Sequence, residues 1–190
     1  GLLNTEADTI RSFQNCSLVS APVITTEPDS QTVCDGQSAL FVVVASGSGL
    51  TYQWQRNGVD LVNGGNISGA TNDSLSLNPS TATDTSGTYR VIVSGASLPN
   101  DTSRNVTLSI NATTLITTEP MNQVSCGGDS VFYTVVASGL NLNYQWRRGN
   151  VNLVNGANIL GVDSNVLVIV SAGNADTALN YNVIVSGLCG

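Results

Sequence analysis

The chain has 190 residues, 41% of them hydrophobic and only 10% charged, with a net charge of −7 and neither Lys nor His. That length suits one large domain or two small ones, each with its own core. Six arginines against thirteen acids cannot neutralise phosphates, which excludes nucleic acid and anionic membranes as partners, and no apolar run approaches the ~18 residues of a membrane-spanning helix.

In chain order, Gly1-Leu2-Leu3-Asn4 is compatible with a mature N-terminus left by cleavage of a leader. Ser38–Ser46 (SALFVVVAS) is β-branched and apolar with glycines on either side, and predicts a strand. Leu50–Arg56 predicts a second, with Tyr52 and Trp54 on one face. Asn57-Gly58 and Asn63-Gly64 suit the positive φ of tight turns. Ser74–Leu77 alternates, Thr88–Val93 reads as a strand, and Thr102–Ile110 (TSRNVTLSI) alternates again. No segment carries a helical period.

From Ile116 onward the same text returns. ITTEP recurs at Ile24 and Ile116, VASG at Val44 and Val136, YQW at Tyr52 and Tyr144, LVNG at Leu61 and Leu153, VIVSG at Val91 and Val183. Each pair lies 92 residues apart. A period that long, with a full set of strands in each copy, means duplicated domains rather than solenoid repeats.

Gly36-Gln37-Ser38, then Tyr52-Gln53-Trp54, then Asp84-Thr85-Ser86-Gly87-Thr88-Tyr89-Arg90-Val91 resemble an immunoglobulin-like domain. Gly128, Trp146, Asp176, Tyr181 and Val183 repeat the pattern, with Leu179 in place of the glycine. The wording is similar to the tandem immunoglobulin-like repeats of large bacterial secreted and cell-surface proteins. The resemblance implies an all-β fold of two sandwiches: domain 1 over 21–112 and domain 2 over 113–190, preceded by a segment 1–20. It implies that Trp54 and Trp146 pack in the cores and that Tyr89 and Tyr181 are tyrosine corners. The positions that usually hold the core disulfide carry Val43 and Val91, and Val135 and Val183, so the cores are apolar and unstapled.

The four cysteines, Cys16, Cys34, Cys126 and Cys189, lack metal-binding spacing and fit disulfides in an oxidising compartment. In the resemblance Cys34 precedes strand B of the first copy, at its bottom pole, and Cys189 follows strand F of the second, at its top pole, and in a head-to-tail tandem those two poles are expected to touch. A strand of nine residues spans roughly 30 Å, so Cys126–Cys189 within one sandwich is disfavoured. The preferred pair is Cys34–Cys189, locking the domain junction; Cys34–Cys16 is the alternative. Six N-x-S/T sequons, at Asn15, Asn66, Asn72, Asn100, Asn105 and Asn111, are glycosylation candidates that also point outside the cell.

The first copy continues past its strand F into Thr102–Ile110, which reads as strand G. The second stops three residues beyond VIVSG and has none, whereas Ile10–Ser20 holds, before the first copy, the place that Thr102–Ala112 holds before the second. Cys16 aligns with Leu108 and Leu18 with Ile110. Two readings stand. In one, Ile10, Phe13, Cys16 and Leu18 form a donor strand that fills the second domain of another copy, Phe13 needing a bulge to point inward. Donor and acceptor at opposite ends propagate a head-to-tail homopolymer, and Cys16 is expected near Cys126 of the neighbour. In the other, the chain is an excerpt of a longer array, an adhesin that binds surface glycans or other surface proteins. Neither is an enzyme: without His or Lys the common general bases are absent, and Glu27, Glu119, Asp84 and Asp176 recur at the repeat spacing as turn residues. No cofactor or metal is expected. Calcium through Glu27, Asp29 or Asp35 has no supporting loop motif, and Arg147-Arg148 reads as a solvated strand end.

Overall fold

The computed structural model describes residues 19–177 and 180–190. The donor positions Ile10, Phe13, Cys16 and Leu18, the sequon at Asn15, and Leu179 lie outside them. The chain divides into two compact units, Gly36–Ser109 with the chain up to Thr32, and Ile110–Gly190 with Val33–Asp35.

The first unit is built from β1 (Val23–Thr26), β2 (Gln31–Cys34, its Val33 and Cys34 belonging to the second unit), β3 (Ala39–Val42), β4 (Val44–Ser46), β5 (Thr51–Arg56), β6 (Val59–Asp60), β7 (Ile67–Ser68), β8 (Ser74–Leu77), β9 (Thr88–Ser94), β10 (Asp101–Thr102) and β11 (Val106–Asn111, its Ile110 and Asn111 likewise belonging to the second unit). One sheet runs β2-β11-β9-β5-β6, with β10 also on β9; the facing sheet is β3-β8-β7, and β1 pairs β4 separately. The second unit repeats this with β12 (Leu115–Thr118), β13 (Val131–Thr134), β14 (Val136–Ser138), β15 (Asn143–Arg148), β16 (Val151–Asn152), β17 (Ile159–Leu160), β18 (Val166–Ile169) and β19 (Tyr181–Ser186). Its sheets are β12-β14, β13-β18-β17 and β16-β15-β19. The only helical turns among the described residues are two 3₁₀ turns, Ala82–Thr85 and Asn174–Asp176.

Alternation explains the packing. Along β9 the residues Tyr89, Val91 and Val93 are fully buried while their neighbours are not, as a sheet with one face on a core requires. Trp54 is fully buried, donates its indole N–H to the Asn72 carbonyl (2.9 Å), and lies 6.2 Å from the Phe41 ring, which stacks on Tyr89 at 5.0 Å. Trp146 repeats the arrangement with Ser164 (2.9 Å) and Tyr133 (6.2 Å). The satisfied indole lets the largest side chain be buried without an orphaned donor. Val43 and Val91, where a core disulfide would sit, are 1% and 0% exposed.

Two predicted strands are each split. Ser38–Ser46 becomes β3 and β4, because up to Val43 the segment follows β8, the Val43 N–H still reaching the Asp73 carbonyl (3.0 Å) in that register, whereas from Val44 it pairs with β1. One segment thereby serves two sheets, and Val135 does the same with Asn165 (3.0 Å). Thr102–Ile110 becomes β10 and β11, interrupted at Ser103. There the Ser103 N–H donates to the Val91 carbonyl and its Oγ accepts from the Val91 N–H, both at 2.9 Å, so a side chain replaces a rung of the ladder.

Turn chemistry accounts for the connections. Asn57 and Gly58 take φ of 52° and 80°, the two positive angles of a hairpin turn matched to strand twist. At the second expected turn Gly64 and Gly65 supply the positive φ, and Asn63 instead accepts the Ala70 N–H through Oδ1 (2.9 Å). The Asn57 side chain bridges the Thr88 N–H and the Ser86 carbonyl, in the space a Cβ on Gly87 would need (2.0 Å). In the second copy the counterpart of Asn57 is Gly149, which removes that side chain, and the counterpart of Gly87 is Leu179.

The tyrosine corner is present in both copies. The Tyr89 hydroxyl donates to the Asp84 carbonyl (2.7 Å) and the Tyr181 hydroxyl to the Asp176 carbonyl (3.1 Å). The buried Asp84 carboxylate accepts from the Thr81 N–H, Thr81 Oγ1 and Asn66 Nδ2, and faces Arg56 at 3.6 Å. Burial is the main cause that raises the Tyr89 pKa above its ordinary 10.0. The unfolded phenol therefore ionises first. Its contribution to stability is complete below pH 10 and is lost as pH rises through the folded pKa. Tyr89→Phe is expected to cost about 1 kcal/mol at neutral pH, for one lost hydrogen bond. It should also flatten the fall in stability of the first unit above pH 10, read from urea midpoints across pH. An unchanged alkaline slope would reject the assignment.

One sequence expectation needs correction. Asn66 is a poor glycosylation candidate: its amide is half-buried and donates to the Pro79 carbonyl (3.0 Å) as well as to Asp84 (2.9 Å). Asn72, Asn100 and Asn105 are exposed, and Asn111 is half-buried at the end of β11. Of the carboxylates weighed for calcium, Glu27 accepts the Arg104 backbone N–H (3.0 Å) and Asp29 pairs with the Arg104 guanidinium. Among the described residues no group of three or more His, Cys, Asp or Glu is placed to hold a metal.

Candidate functional site

The two copies differ most at one edge. In the first unit β11 lies beside β9, and its Val106 and Leu108, 2% and 3% exposed, seal Tyr89, Val91 and Val93. In the second, β19 has β15 on one side and, among the described residues, no strand on the other. Tyr181, Val183 and Val185, the counterparts of the sealed residues, are only half-buried.

The backbone of that edge is also open. Trp146 spends its N–H on the Val162 carbonyl (2.8 Å) and its carbonyl on the Leu153 N–H (3.0 Å). Val183 stands opposite Trp146 in the ladder, so this is a pair without mutual hydrogen bonds, and the Val183 N–H and C=O point away from β15. In the first unit the equivalent groups of Val91 are satisfied by Ser103. An edge with exposed donors and acceptors is a template for another strand.

Beside the edge lies an open cavity of about 310 Å³, lined by Cys126, Val131, Tyr133, Ile169, Ala172 and Asp176 among others. Tyr133 sits 5.2 Å from Tyr181, and burial raises the pKa of both phenols above 10.0; nearby Arg148 partly offsets this for Tyr181. Both are therefore neutral hydroxyls at physiological pH. With an apolar floor, neutral phenols and unpaired amides, the site is suited to an extended peptide rather than to an ion.

A second difference was not legible from the strand pattern. Gln31–Cys34 is β2, held at the sheet edge by β11. Its counterpart Gln123–Cys126 forms no strand and is exposed throughout, Val124 to 99%. Cys126 is a free thiol. Cys34 and Cys189 are disulfide-bonded with Cα atoms 5.6 Å apart, and since Val33–Asp35 belongs to the second unit, that bond lies within it. Arg147 is bonded to the Asn150 carbonyl (2.6 Å), and Arg148 lies over the Tyr181 ring at 6.0 Å. The aromatic pair Phe41 and Tyr133 also went unnoticed in the sequence; the 92-residue offset that relates them was the available signal.

Residues 21–95 match the family model of the immunoglobulin domain. No curated protein matches the chain. Among solved structures it is similar to the I-band fragment I67–I69 of titin (16% identity, 90% of this chain and 62% of that one, TM-score 0.70). It is also similar to extracellular domains 3–5 of Drosophila OTK (16%, 90% and 59%, 0.60). The N-terminal eight Ig domains of Down Syndrome Cell Adhesion Molecule match as well (13%, 90% and 27%, 0.68). The chain thus spans less than two thirds of each of these structures. At such identities the likeness shows the fold: two tandem immunoglobulin-like β-sandwiches.

Proposed function

We propose that this tandem of immunoglobulin-like sandwiches is a secreted, non-enzymatic structural subunit of the bacterial type. It polymerises head to tail, the open edge of its second unit taking an extended strand from residues 10–18 of another copy. The observation that carries this reading is the internal comparison: one sequence repeat with its F-strand edge filled by β11, and one with that edge vacant among the described residues. The donor has the right address, because residues 10–18 align with 102–110 at the repeat offset. Secretion is supported by the disulfide and by exposed sequons.

The first unit supplies a register for the contact. Val106 pairs with Tyr89 and Thr102 with Ile92, so Gln14 is set against Tyr181 and Ile10 against Ile184. Cys16 and Leu18 take the inward places of Leu108 and Ile110. On the other flank Thr107 donates to Ser30 Oγ (3.1 Å) and Asp35 donates to the Asn111 carbonyl (3.0 Å), which makes β2 and β11 parallel. Transposed, Cys16 comes level with Gln123 and Val19 with Gly127. Cys16 is then about 10 Å short of Cys126 along the strand, beyond disulfide reach. The expected Cys16–Cys126 bond therefore drops out of the proposal, and cohesion rests on the ladder and apolar side chains.

The test is assembly of the whole chain, followed by light scattering and electron microscopy with and without reductant. Linear polymers are expected, lost on deletion of residues 1–18 and in Cys16→Asp/Leu18→Asp, with the first unit still folded. A chain that stays monomeric at high concentration, or polymers that survive the deletion, would overturn the reading.

A further inference from the structure

We infer that the acceptor site has two edges: the segment Gln123–Cys126 folds onto the incoming strand as a parallel clasp, so the donor is held between it and β19. This rests on the strand-acceptor reading and extends it to residues that do not belong to the groove floor.

The argument is again a comparison of the two copies. Gln31-Thr32-Val33-Cys34 and Gln123-Val124-Ser125-Cys126 have similar residues, and both follow a Glu-Pro pair by three residues. Neither β-propensity nor a breaker distinguishes them. The first is a strand with β11 as its sole neighbour. The second has no such neighbour, and its recorded bonds are local: Cys126 N–H to Asp129 Oδ2 (3.3 Å), Asp129 N–H to the Cys126 carbonyl (3.1 Å) and Gln123 Nε2 to the Met121 carbonyl (3.3 Å). A strand exists only where its hydrogen bonds have partners. Supplying the counterpart of β11 therefore supplies what Gln123–Cys126 lacks.

The cavity fits the same account. Its wall is formed by Gln123–Gly127 on one side and by Val131, Tyr133, Ile169 and Ala172 on the other. In the first unit the counterparts of that wall, Ala39, Phe41 and Leu77, are fully buried, and Leu108 of β11 is 3% exposed. A volume of about 310 Å³ exceeds one aliphatic side chain. It takes the Cys16 and Leu18 side chains of the donor and closes as the clasp moves in. Cys126 passes from exposed to covered, level with the donor's Leu18 and Val19 and away from its Cys16.

Amide hydrogen exchange on the full chain tests this, with polymers compared against the monomeric Cys16→Asp/Leu18→Asp variant. The expected result is protection, on the order of tenfold or more, both at Tyr181 and Val183 in β19 and across Ser125–Gly127. Cys126 alkylation should slow in parallel. Protection of β19 with Ser125–Gly127 exchanging as in the monomer would overturn the clasp and leave strand acceptance standing. If the wild-type chain forms no polymer, the acceptor reading falls and the clasp with it.

Discussion

Trp146→Ala is expected to unfold the second unit while the first remains folded. Trp146 is fully buried against Val135, Val162 and Leu167, with Ile116, Tyr144 and Leu153 packed around them. Its removal costs about 3–5 kcal/mol in lost burial and cavity. It also strips the Ser164 carbonyl of its 2.9 Å donor. A unit of this size has only some 4–12 kcal/mol in total, and the half-exposure of Tyr181, Val183 and Val185 puts it toward the lower end. Trp54→Ala removes the same ring from a unit in which β11 completes the core, so that unit should weaken and still fold. The chain has two tryptophans, so fluorescence of Trp146→Ala reports the first unit alone, and amide exchange of β15 and β18 reports the second. Protected β18 amides in that variant would show that its core tolerates the loss.

Reducing Cys34–Cys189, or replacing Cys189 with Ser, is expected to lower the stability of the second unit by about 2–4 kcal/mol and to leave the first unchanged. The bonded cysteines are 155 residues apart in sequence, but the effective loop is shorter. The Asp35 N–H bonds the Asn111 carbonyl at 3.0 Å, so Cys34 is held beside Asn111. The loop that the disulfide closes is then the stretch from Asn111 to Cys189, roughly 80 residues, for which chain entropy predicts about 4.5 kcal/mol at most. Cys189 is also 3% exposed, and its carbonyl accepts the Thr114 N–H at 2.6 Å, so the bond anchors a buried end of chain. Urea unfolding with and without reductant checks this. A shift of the Trp54 transition instead would place the constraint in the wrong unit.

Much of the fold was legible beforehand because it depends on local pattern. The alternation in Ser74–Leu77 and Thr88–Val93 gave β8 and β9 within a residue. The resemblance carried by Tyr-Gln-Trp and by the Asp-to-Tyr segment implied core tryptophans and tyrosine corners; both indoles are fully buried and both phenols bond an Asp carbonyl. The splits at Val43 and Ser103 were hidden. A run of valines does not announce where its partner changes from β8 to β1, nor does a serine announce that its Oγ will stand in for a carbonyl. Asn66 misled for a related reason: a sequon is a local triplet, whereas the groups that occupy its amide, Pro79 and Asp84, arrive from elsewhere in the chain.

By itself the sequence determined the duplication and the all-β character, because each follows from side chains at periods of two and 92, and the resemblance added the two core tryptophans. Tertiary structure alone decided which of two like segments becomes a strand. Gln31–Cys34 and Gln123–Cys126 are near-twins as text, one a strand and the other an exposed loop segment. The difference lies in whether another stretch of backbone is present to complete their hydrogen bonds, and that is a property of the assembled sheet.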